Sequence, residues 1–323
     1  MILTMVCHIV FPKNERRDKI ELRQCTAIDF ESSWKEMTSR GELTIPRKVR
    51  YFDRHKVRET FRRGDEVVIS FGYNDLLIEE FRGYISEVSA DIPIVIKFED
   101  EMFKVRKLPV NFSDPNISLD KLLKTIIPGY QIDALEGVQL GAVRLAKTQV
   151  GPVLEKLQSD WGLYTYMKGK TVVCGKYYAD DSPENVADFH LEKNCVSTSL
   201  NYRKKEDISL KIKVVSTLRN GTKIEVENIG DKEGNERQLT FYNIEVKAEL
   251  ERLGKLEYEK YKVDRFDGSF TAFGIPSVKH GTRVNLKSSL YEDREGIYYI
   301  EKVRKTFDVG GIRQEITLGD KVG

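Results

Sequence analysis

Apolar and polar residues alternate with a period of two along both ends of the chain, and this pattern predicts strands. In the first part of the chain, strand candidates fall at 1–10, 20–29, 43–45, 66–71, 76–86 and 94–98. The alternation returns after residue 191, for example over 209–216, where Asn220 followed by Gly221 predicts a hairpin turn. The sequence therefore predicts a mainly β, α+β protein.

The middle of the chain has a helical pattern instead. Ser118 precedes an apolar stripe over 119–127, and serine commonly caps helix N-termini. A second stripe covers 148–161 and ends at Gly162, and a pattern rich in Ala, Leu, Glu and Lys lies at about 246–260. We therefore predict three domains, which are a first β-barrel at 1–108, a small α+β domain at 109–190, and a second β-barrel at 191–323 with an inserted helix at about 246–260.

A short motif, G-x-x-V-x-[IL] followed a hairpin later by I-x-x-V, occurs once in each β segment. The first copy holds Gly64, Val67, Ile69, Gly83, Ile85 and Val88, and the second holds Gly281, Val284, Leu286, Gly296, Ile300 and Val303. Glycine at a strand entry permits a tight turn, and alternating aliphatic residues face one core. Chance is the alternative, because G-x-x-V is common in β proteins. The simplest interpretation is two related small antiparallel β-barrels that flank the α+β domain.

Length and composition exclude several protein classes. A chain of 323 residues is expected to hold two or three domains. No run reaches the roughly 18 apolar residues that span a bilayer, so no membrane anchor is predicted. The apolar N-terminus lacks the basic lead-in and cleavage site of a signal peptide, which predicts a cytoplasmic product. The net charge of +2 gives no general argument for nucleic acid.

The sequence contains none of the familiar motifs for catalysis or cofactor binding. There is no nucleophile elbow, zincin helix, phosphate-binding loop or dinucleotide-binding turn. The four cysteines, Cys7, Cys25, Cys174 and Cys195, show no metal spacing and predict isolated reduced thiols. We therefore predict no catalytic residue, no cofactor and no metal site, and no enzyme. Acidic clusters at 79–80, 99–101 and 180–181 could supply paired carboxylates for glycoside cleavage or Mg²⁺ binding, so a cell-wall hydrolase is an alternative.

One segment, 47–63, has the composition of a nucleic-acid-binding surface. Its basic residues are Arg47, Lys48, Arg50, Arg54, Lys56, Arg58, Arg62 and Arg63, and they are interleaved with Tyr51, Phe52 and Phe61. Such a mixture could bind single-stranded nucleic acid, so a nucleic-acid-binding β-barrel is a second alternative. The same mixture suits a solvated loop or a subunit contact, and we favour these over specific nucleic acid binding.

The order of these parts resembles the baseplate hub family of contractile-tailed phages. That family includes the late control gene D proteins, the Mu-like tail hub and the N-terminal part of type VI secretion spikes. The resemblance rests on the repeated motif, on the helix after 246 followed by the segment 267–270, and on the turn formed by Gly274, Ile275 and Pro276. Segments 33–35, 44–48 and 81–85 are similar to the strands that open these hubs.

This resemblance implies a structural hub protein of a phage, prophage or phage-like contractile injection system. In such hubs the chain forms a homotrimer, and two barrels per chain give a pseudo-sixfold ring that joins the tail tube to the spike. The implied partners are a tail tube protein and a separate spike protein, since no lysozyme or needle domain follows Gly323, with a tape-measure protein as a further candidate. The implied location is the tail baseplate of the virion, after assembly in the bacterial cytoplasm.

Overall fold

The computed structural model describes residues 3–46, 60–74, 76–89, 93–177, 186–218, 220–291 and 295–322. Strands dominate, so the predicted mainly β fold is confirmed. The largest feature is a 13-stranded sheet to which both ends of the chain contribute. Its two halves each curve around a core of their own. We call these halves the first and the second barrel.

The first barrel is built from the N-terminal strands. They are β1 (Met5–Phe11), β2 (Ile20–Leu22), β3 (Ala27–Ser33), β4 (Arg40–Ile45), β5 (Glu66–Tyr73), β6 (Leu76–Val88) and β7 (Ile94–Glu99). Neighbours in the order β2-β1-β5-β6-β7-β4-β3 pair antiparallel. Alternate residues such as Ile9, Ile69 and Phe98 point inward and are fully buried, as the period-two pattern predicts.

A small α+β domain follows. It contains α1 (Met102–Val105), β8 (Pro109–Ser118), α2 (Leu119–Ile126), β9 (Gln131–Ala134), β10 (Gln139–Gln149), α3 (Val150–Trp161), β11 (Thr165–Lys168) and β12 (Thr171–Cys174). The Ser118 hydroxyl accepts the N–H of Lys121 at 3.4 Å, which confirms the predicted cap of α2. Gly162 ends α3 with a φ of 67°. The sequence pattern did not predict the paired strands β8 and β10.

The second barrel consists of β13 (Val186–His190), β14 (Cys195–Arg203), β18 (Arg265–Phe273), β19 (Arg283–Lys287), β20 (Gly296–Asp308) and β21 (Gly311–Lys321). Its pairs are antiparallel except that β13 runs parallel to β19. Strand β13 falls in the segment 109–190 that was predicted to be α+β, yet it pairs with the second barrel. The sequence of a five-residue strand does not indicate which sheet the strand will join.

A subdomain is inserted between β14 and β18. After a 3-10 turn at Lys205–Asp207 it contains β15 (Leu210–Thr217), β16 (Lys223–Gly230), β17 (Asn235–Tyr242) and α4 (Lys247–Tyr261). The predicted β15–β16 hairpin is confirmed, and α4 matches the predicted inserted helix. A Cβ at Gly254 would lie 2.4 Å from the Cδ1 atom of Ile229, so glycine lets α4 lie close to this sheet.

The two barrels are joined edge to edge. Strand β20 pairs antiparallel with β3, from Lys302 opposite Ser33 to Phe307 opposite Ile28. The 13 residues of β20 allow this because its first half pairs with β19 and its second half reaches β3. The two barrels thus share one 13-stranded sheet, and the sequence pattern did not predict this shared edge.

Candidate functional site: the shared sheet of the two barrels

The repeated motif makes the same backbone contact in each barrel. The N–H of Gly64 donates to the carbonyl of Ile85 at 2.7 Å, and the N–H of Ile85 donates at 2.8 Å to the carbonyl of the residue after Gly64. Gly281 and Ile300 form the equivalent two hydrogen bonds, both at 2.9 Å. The two glycines have φ angles of 91° and 78°, a left-handed region in which a side chain would be strained.

The aliphatic residues of the motif line the two cores. Val67, Ile69 and Ile85 are buried in the first core, Val284, Leu286, Ile300 and Val303 are buried in the second, and Val88 is partly buried. These aliphatic side chains therefore belong to the two cores.

The other two motif glycines differ from each other. Gly83 lies within β6 opposite Val67, and a Cβ there would lie 2.0 Å from a backbone carbonyl oxygen of β7. Gly296 begins β20, and a Cβ there would meet the flexible end of the Lys321 side chain at 2.8 Å. Tyr298, rather than Gly296, stands opposite Val284. The two glycines are therefore not structural counterparts.

The likeness between the barrels extends to their strand order. The first barrel has the order β1-β5-β6-β7-β4-β3, and the second has β13-β19-β20-β21-β18-β14. The six strands also follow one another in the same order along the chain. A bulge interrupts β6 between Ile85 and Glu87, and the same bulge interrupts β20 between Ile300 and Lys302.

Ion pairs cover the outward face of the junction between the barrels. Arg304 of β20 donates from Nε to Asp29 of β3 at 2.9 Å, and the ammonium of Lys302 lies 2.6 Å from Glu31. The hydrogen bond from Lys302 is the main reason why the pKa of Glu31 is lowered. A groove of about 560 Å³ continues along this face to Glu87 of β6. The face is polar and carries both signs of charge.

Beneath this face, a buried ion pair connects the barrels. The ammonium of Lys305 in β20 donates to the carboxylate of Glu80 in β6, and it donates to the hydroxyl of Ser277 at 2.6 Å. The two charged side chains are 5% and 2% exposed. Burial lowers the pKa of Lys305, while the Glu80 carboxylate acts in the opposite direction. Glu80 points inward because β6 has a second bulge at this point.

Sequence reasoning missed this ion pair, although a signal for Lys305 was present. Val303, Lys305 and Phe307 alternate along β20 and are all buried, so the period of two places this lysine on the inner face. An inward lysine on a strand requires a partner. Nothing in the sequence identified Glu80 as that partner, because the bulge shifts the inward positions of β6 by one residue.

The turn around Pro276 is held by a buried glutamine. The side-chain amide of Gln314 donates to the carbonyls of Phe273 and Pro276 at 2.8 and 2.6 Å, and its oxygen accepts the N–H of Val278 at 3.3 Å. The turn thereby presents Ser277 to the buried ion pair. This turn is one of the segments on which the family resemblance rests, and its conformation depends on a residue of β21.

Aromatic residues attach the α+β domain to both barrels. Trp34, which follows β3, packs edge-on against Tyr164 with ring centroids 5.2 Å apart. Tyr166 of β11 packs edge-on against His280 of the second barrel at 5.1 Å. Burial, together with the nearby Lys279, lowers the pKa of His280 to about 4, so this imidazole is neutral at pH 7.

The acidic residues that suggested hydrolase chemistry have structural partners. Glu79 accepts two hydrogen bonds at 2.9 Å from the guanidinium of Arg82, which is the main cause of its lowered pKa. Glu99 lies 2.6 Å from an arginine guanidinium, and Glu101 accepts two tyrosine hydroxyls at 3.0 and 2.8 Å. The acidic pair 180–181 lies outside the described residues.

Asp100 is a buried carboxylate that is held by backbone N–H groups. Its carboxylate accepts the N–H of Ser39 at 2.8 Å and the N–H of Met102 at 3.0 Å. Burial raises the pKa of Asp100 to about 7, although the two N–H groups oppose this shift. The carboxylate ties the start of α1 to the loop before β4, which is a structural role.

The remaining sequence predictions fall on scattered places. In the basic and aromatic segment, residues 47–59 lie outside the described residues, and Phe61 is buried against Phe11 with ring centroids 4.6 Å apart.

The sulfur atoms of Cys7 and Cys25 are 3.7 Å apart, so these free thiols are neighbours rather than isolated. Across the described ranges, no three metal-ligating side chains gather in one place. None of the helices in that part of the chain is long and apolar enough to cross a membrane.

Comparison with known proteins gives matches among solved structures alone, since no family model and no curated protein matches this chain. A 43 kDa tail protein of prophage MuSo2 from Shewanella oneidensis matches with a TM-score of 0.59 and 16% identity, over 97% of this chain and 98% of that one. A tail protein from Neisseria meningitidis matches with a TM-score of 0.63 and 13% identity, over 98% and 96%.

A third match is an Escherichia coli component of the type VI secretion system. It is described as structurally similar to the T4 phage tail proteins gp27 and gp5. The TM-score is 0.54 at 9% identity, over 92% of this chain and 73% of that one. The chain therefore has the fold of these phage tail proteins, and its resemblance to the baseplate hub family is confirmed at the level of the fold.

Proposed function

We propose that this chain is a structural hub protein in the tail baseplate of a phage, prophage or contractile injection system. Three copies form a ring, and the two barrels of each chain provide six similar positions around its axis. The observation that carries this proposal is the edge-to-edge fusion of two barrels with the same strand order through β3 and β20. A chain with an internal repeat can meet a sixfold partner and a threefold partner with one assembly.

The proposed partners follow from that symmetry. One side of the ring meets a tail tube protein, and the other side meets a spike protein. A tape-measure protein is a further candidate for the tube side. The proposed location is the virion baseplate. The fold shared with two tail proteins and a type VI secretion component supports these partners.

We propose a role without catalysis. The acidic residues at 79–80 and 99–101 neutralise arginine or lysine, accept tyrosine hydroxyls or hold backbone N–H groups, so their charges are already used in the fold. The nucleic-acid alternative loses one of its three stacking side chains, because Phe61 belongs to the core. A ring adaptor needs shape and symmetry rather than a reactive site.

Light scattering coupled to size-exclusion chromatography tests the assembly. The chain is measured alone and after co-expression with the proposed spike partner. We expect a particle with three times the mass of the chain in at least one of the two samples. A chain that stays monomeric in both samples contradicts the proposed hub. Clearing of purified peptidoglycan by the isolated chain would contradict the non-catalytic role.

A further inference from the structure

We propose that the ring closes through one defined strand pair between copies, in which β14 of one chain lies antiparallel to the C-terminal end of β6 of the next. In this pair Glu87 stands opposite Arg203 of the neighbouring copy. The inference rests on the proposed ring and goes further, because it assigns the two edges and their register. It follows from the junction that already exists within one chain.

The first step is to match β6 with β20. Ile85 and Ile300 are counterparts because each exchanges the same pair of hydrogen bonds with the glycine segment of its own barrel. A bulge follows directly in both strands. Glu87 and Lys302 each lie two residues beyond, so they occupy equivalent positions.

The second step is to match β3 with β14. Ile28 of β3 and Thr198 of β14 are counterparts. In the first barrel, the strand next to β3 is β4, and in the second barrel, the strand next to β14 is β18. The register of β4 with β7 is the same as the register of β18 with β21. Ser33 and Arg203 lie five residues beyond these two positions and are counterparts as well.

The junction within the chain now predicts the junction between chains. Strand β20 meets β3 with Lys302 opposite Ser33. If the next copy repeats this contact with the counterpart strands, β6 meets β14 with Glu87 opposite Arg203. Val88 and Ser89 then face the two β14 residues that precede Arg203. The contact is head-to-tail, and three such contacts close a ring.

Both edges are available for pairing. Among the described strands, β14 is bonded to β18 alone and ends the large sheet. Beyond Ile85, the described part of β6 is bonded to β7 on one side, and no described strand covers its other side. An unprotected edge of this kind is a template for a strand of another chain.

Burial indicates that β14 lacks a neighbour that β3 has. In β3, which is covered by β20, Ile28 and Phe30 are 1% and 5% exposed. Their counterparts in β14 are Thr198, which is exposed, and Leu200, which is only partly buried. Val196, near the start of β14, is 47% exposed. Strand β20 covers β3 in this way, whereas no described strand covers the outer side of β14.

The charges at the two edges are complementary. Within the chain, Glu87 forms an exposed ion pair with Lys97 at 3.1 Å, and Arg203 forms an exposed ion pair with Asp267 at 2.8 Å. Exposed pairs of this kind contribute little and can be exchanged or extended. Opposite charges directly across a strand pair favour the predicted register, and like charges oppose it.

Engineered cysteines test the register. The full chain carrying Glu87→Cys and Arg203→Cys is oxidised at its highest soluble concentration, and its products are separated without reductant. Directly opposed residues are close enough for a disulfide, so we expect linked dimers and closed trimers. Each single variant and the pair Glu87→Cys with Ser199→Cys, which is four residues out of register, serve as controls. Dimers that form equally in these controls overturn the register.

Charge exchange provides a second test by sedimentation. Glu87→Arg alone and Arg203→Glu alone are each expected to weaken association about tenfold, and the double exchange is expected to restore it. If the trimer forms with unchanged affinity in all three variants, the inferred strand pair is overturned and the proposed hub remains. A chain that is monomeric at every concentration, with neither disulfide products nor a response to the spike partner, overturns both.

Discussion

Replacing Lys305 with methionine leaves the Glu80 carboxylate buried without its cation, at the point where the two barrels meet. The two side chains are 5% and 2% exposed, so water cannot replace the lost partner. Removing one member of a buried ion pair typically costs about 3–5 kcal/mol. We expect a loss of that size in the free energy of unfolding, measured by urea denaturation with tryptophan fluorescence, to which Trp34, next to β3, contributes.

The double variant Lys305→Met with Glu80→Leu separates the charge effect from the packing effect. Because it leaves no buried charge, we expect it to recover most of the lost stability, within about 1 kcal/mol of the original chain. Lys302→Met is the matched control, since Lys302 lies on the same strand and pairs with Glu31 at 39% and 30% exposure. An exposed pair is worth about 1 kcal/mol or less.

Two results would refute this reasoning. If Lys305→Met costs no more than Lys302→Met, the buried pair does not stabilise the junction. If the double variant loses as much as the sum of its single variants, the two side chains act independently, and desolvation of an unpaired charge is not the cause.

Two further predictions concern Asp100 and Gly83. The pKa of Asp100 rises from 3.8 to about 7 on folding, so the folded state keeps its proton to higher pH and the protein loses stability, by at most about 4 kcal/mol, as the pH rises from about 4 to 7. Asp100→Asn should flatten that part of the pH profile of the unfolding free energy in urea titrations. An unchanged slope would contradict the assignment. Gly83→Ala should destabilise the first barrel by about 3 kcal/mol or more, because its Cβ would lie 2.0 Å from the carbonyl oxygen of Glu99. Gly296→Ala should cost less than about 1 kcal/mol, because its Cβ meets only the flexible end of the Lys321 side chain. Equal melting temperatures for the two variants would count against this prediction.

Local features of the fold were predictable because they depend on short-range chemistry. Ser118 and Gly162 have side-chain and backbone properties that fit a helix start and a helix end, and both are used in that way. Gly64 and Gly281 were matched from the motif alone, and they form the same hydrogen bonds. In each case the residue type itself carries the information.

Pairing between distant strands was not predictable in the same way. The contact of β20 with β3 is made by backbone groups, which every residue has, so no side chain marks the edge. The parallel strand β13 and the inward turn of Glu80 at a bulge escaped for the same reason. Candidate contacts between copies follow only after the two barrels have been matched strand by strand.

The inserted subdomain gives the two barrels different surroundings. The subdomain is inserted in the second barrel, in the connection between β14 and β18. The counterpart connection in the first barrel, between β3 and β4, is the short loop 34–39. A ring of three chains would therefore repeat its barrel walls six times but its subdomains only three times. A neighbour that touches the walls would experience near-sixfold symmetry, and one that touches the subdomains would experience strict threefold symmetry. In the proposed ring, the insertion would thus add strictly threefold surfaces to walls that repeat about six times.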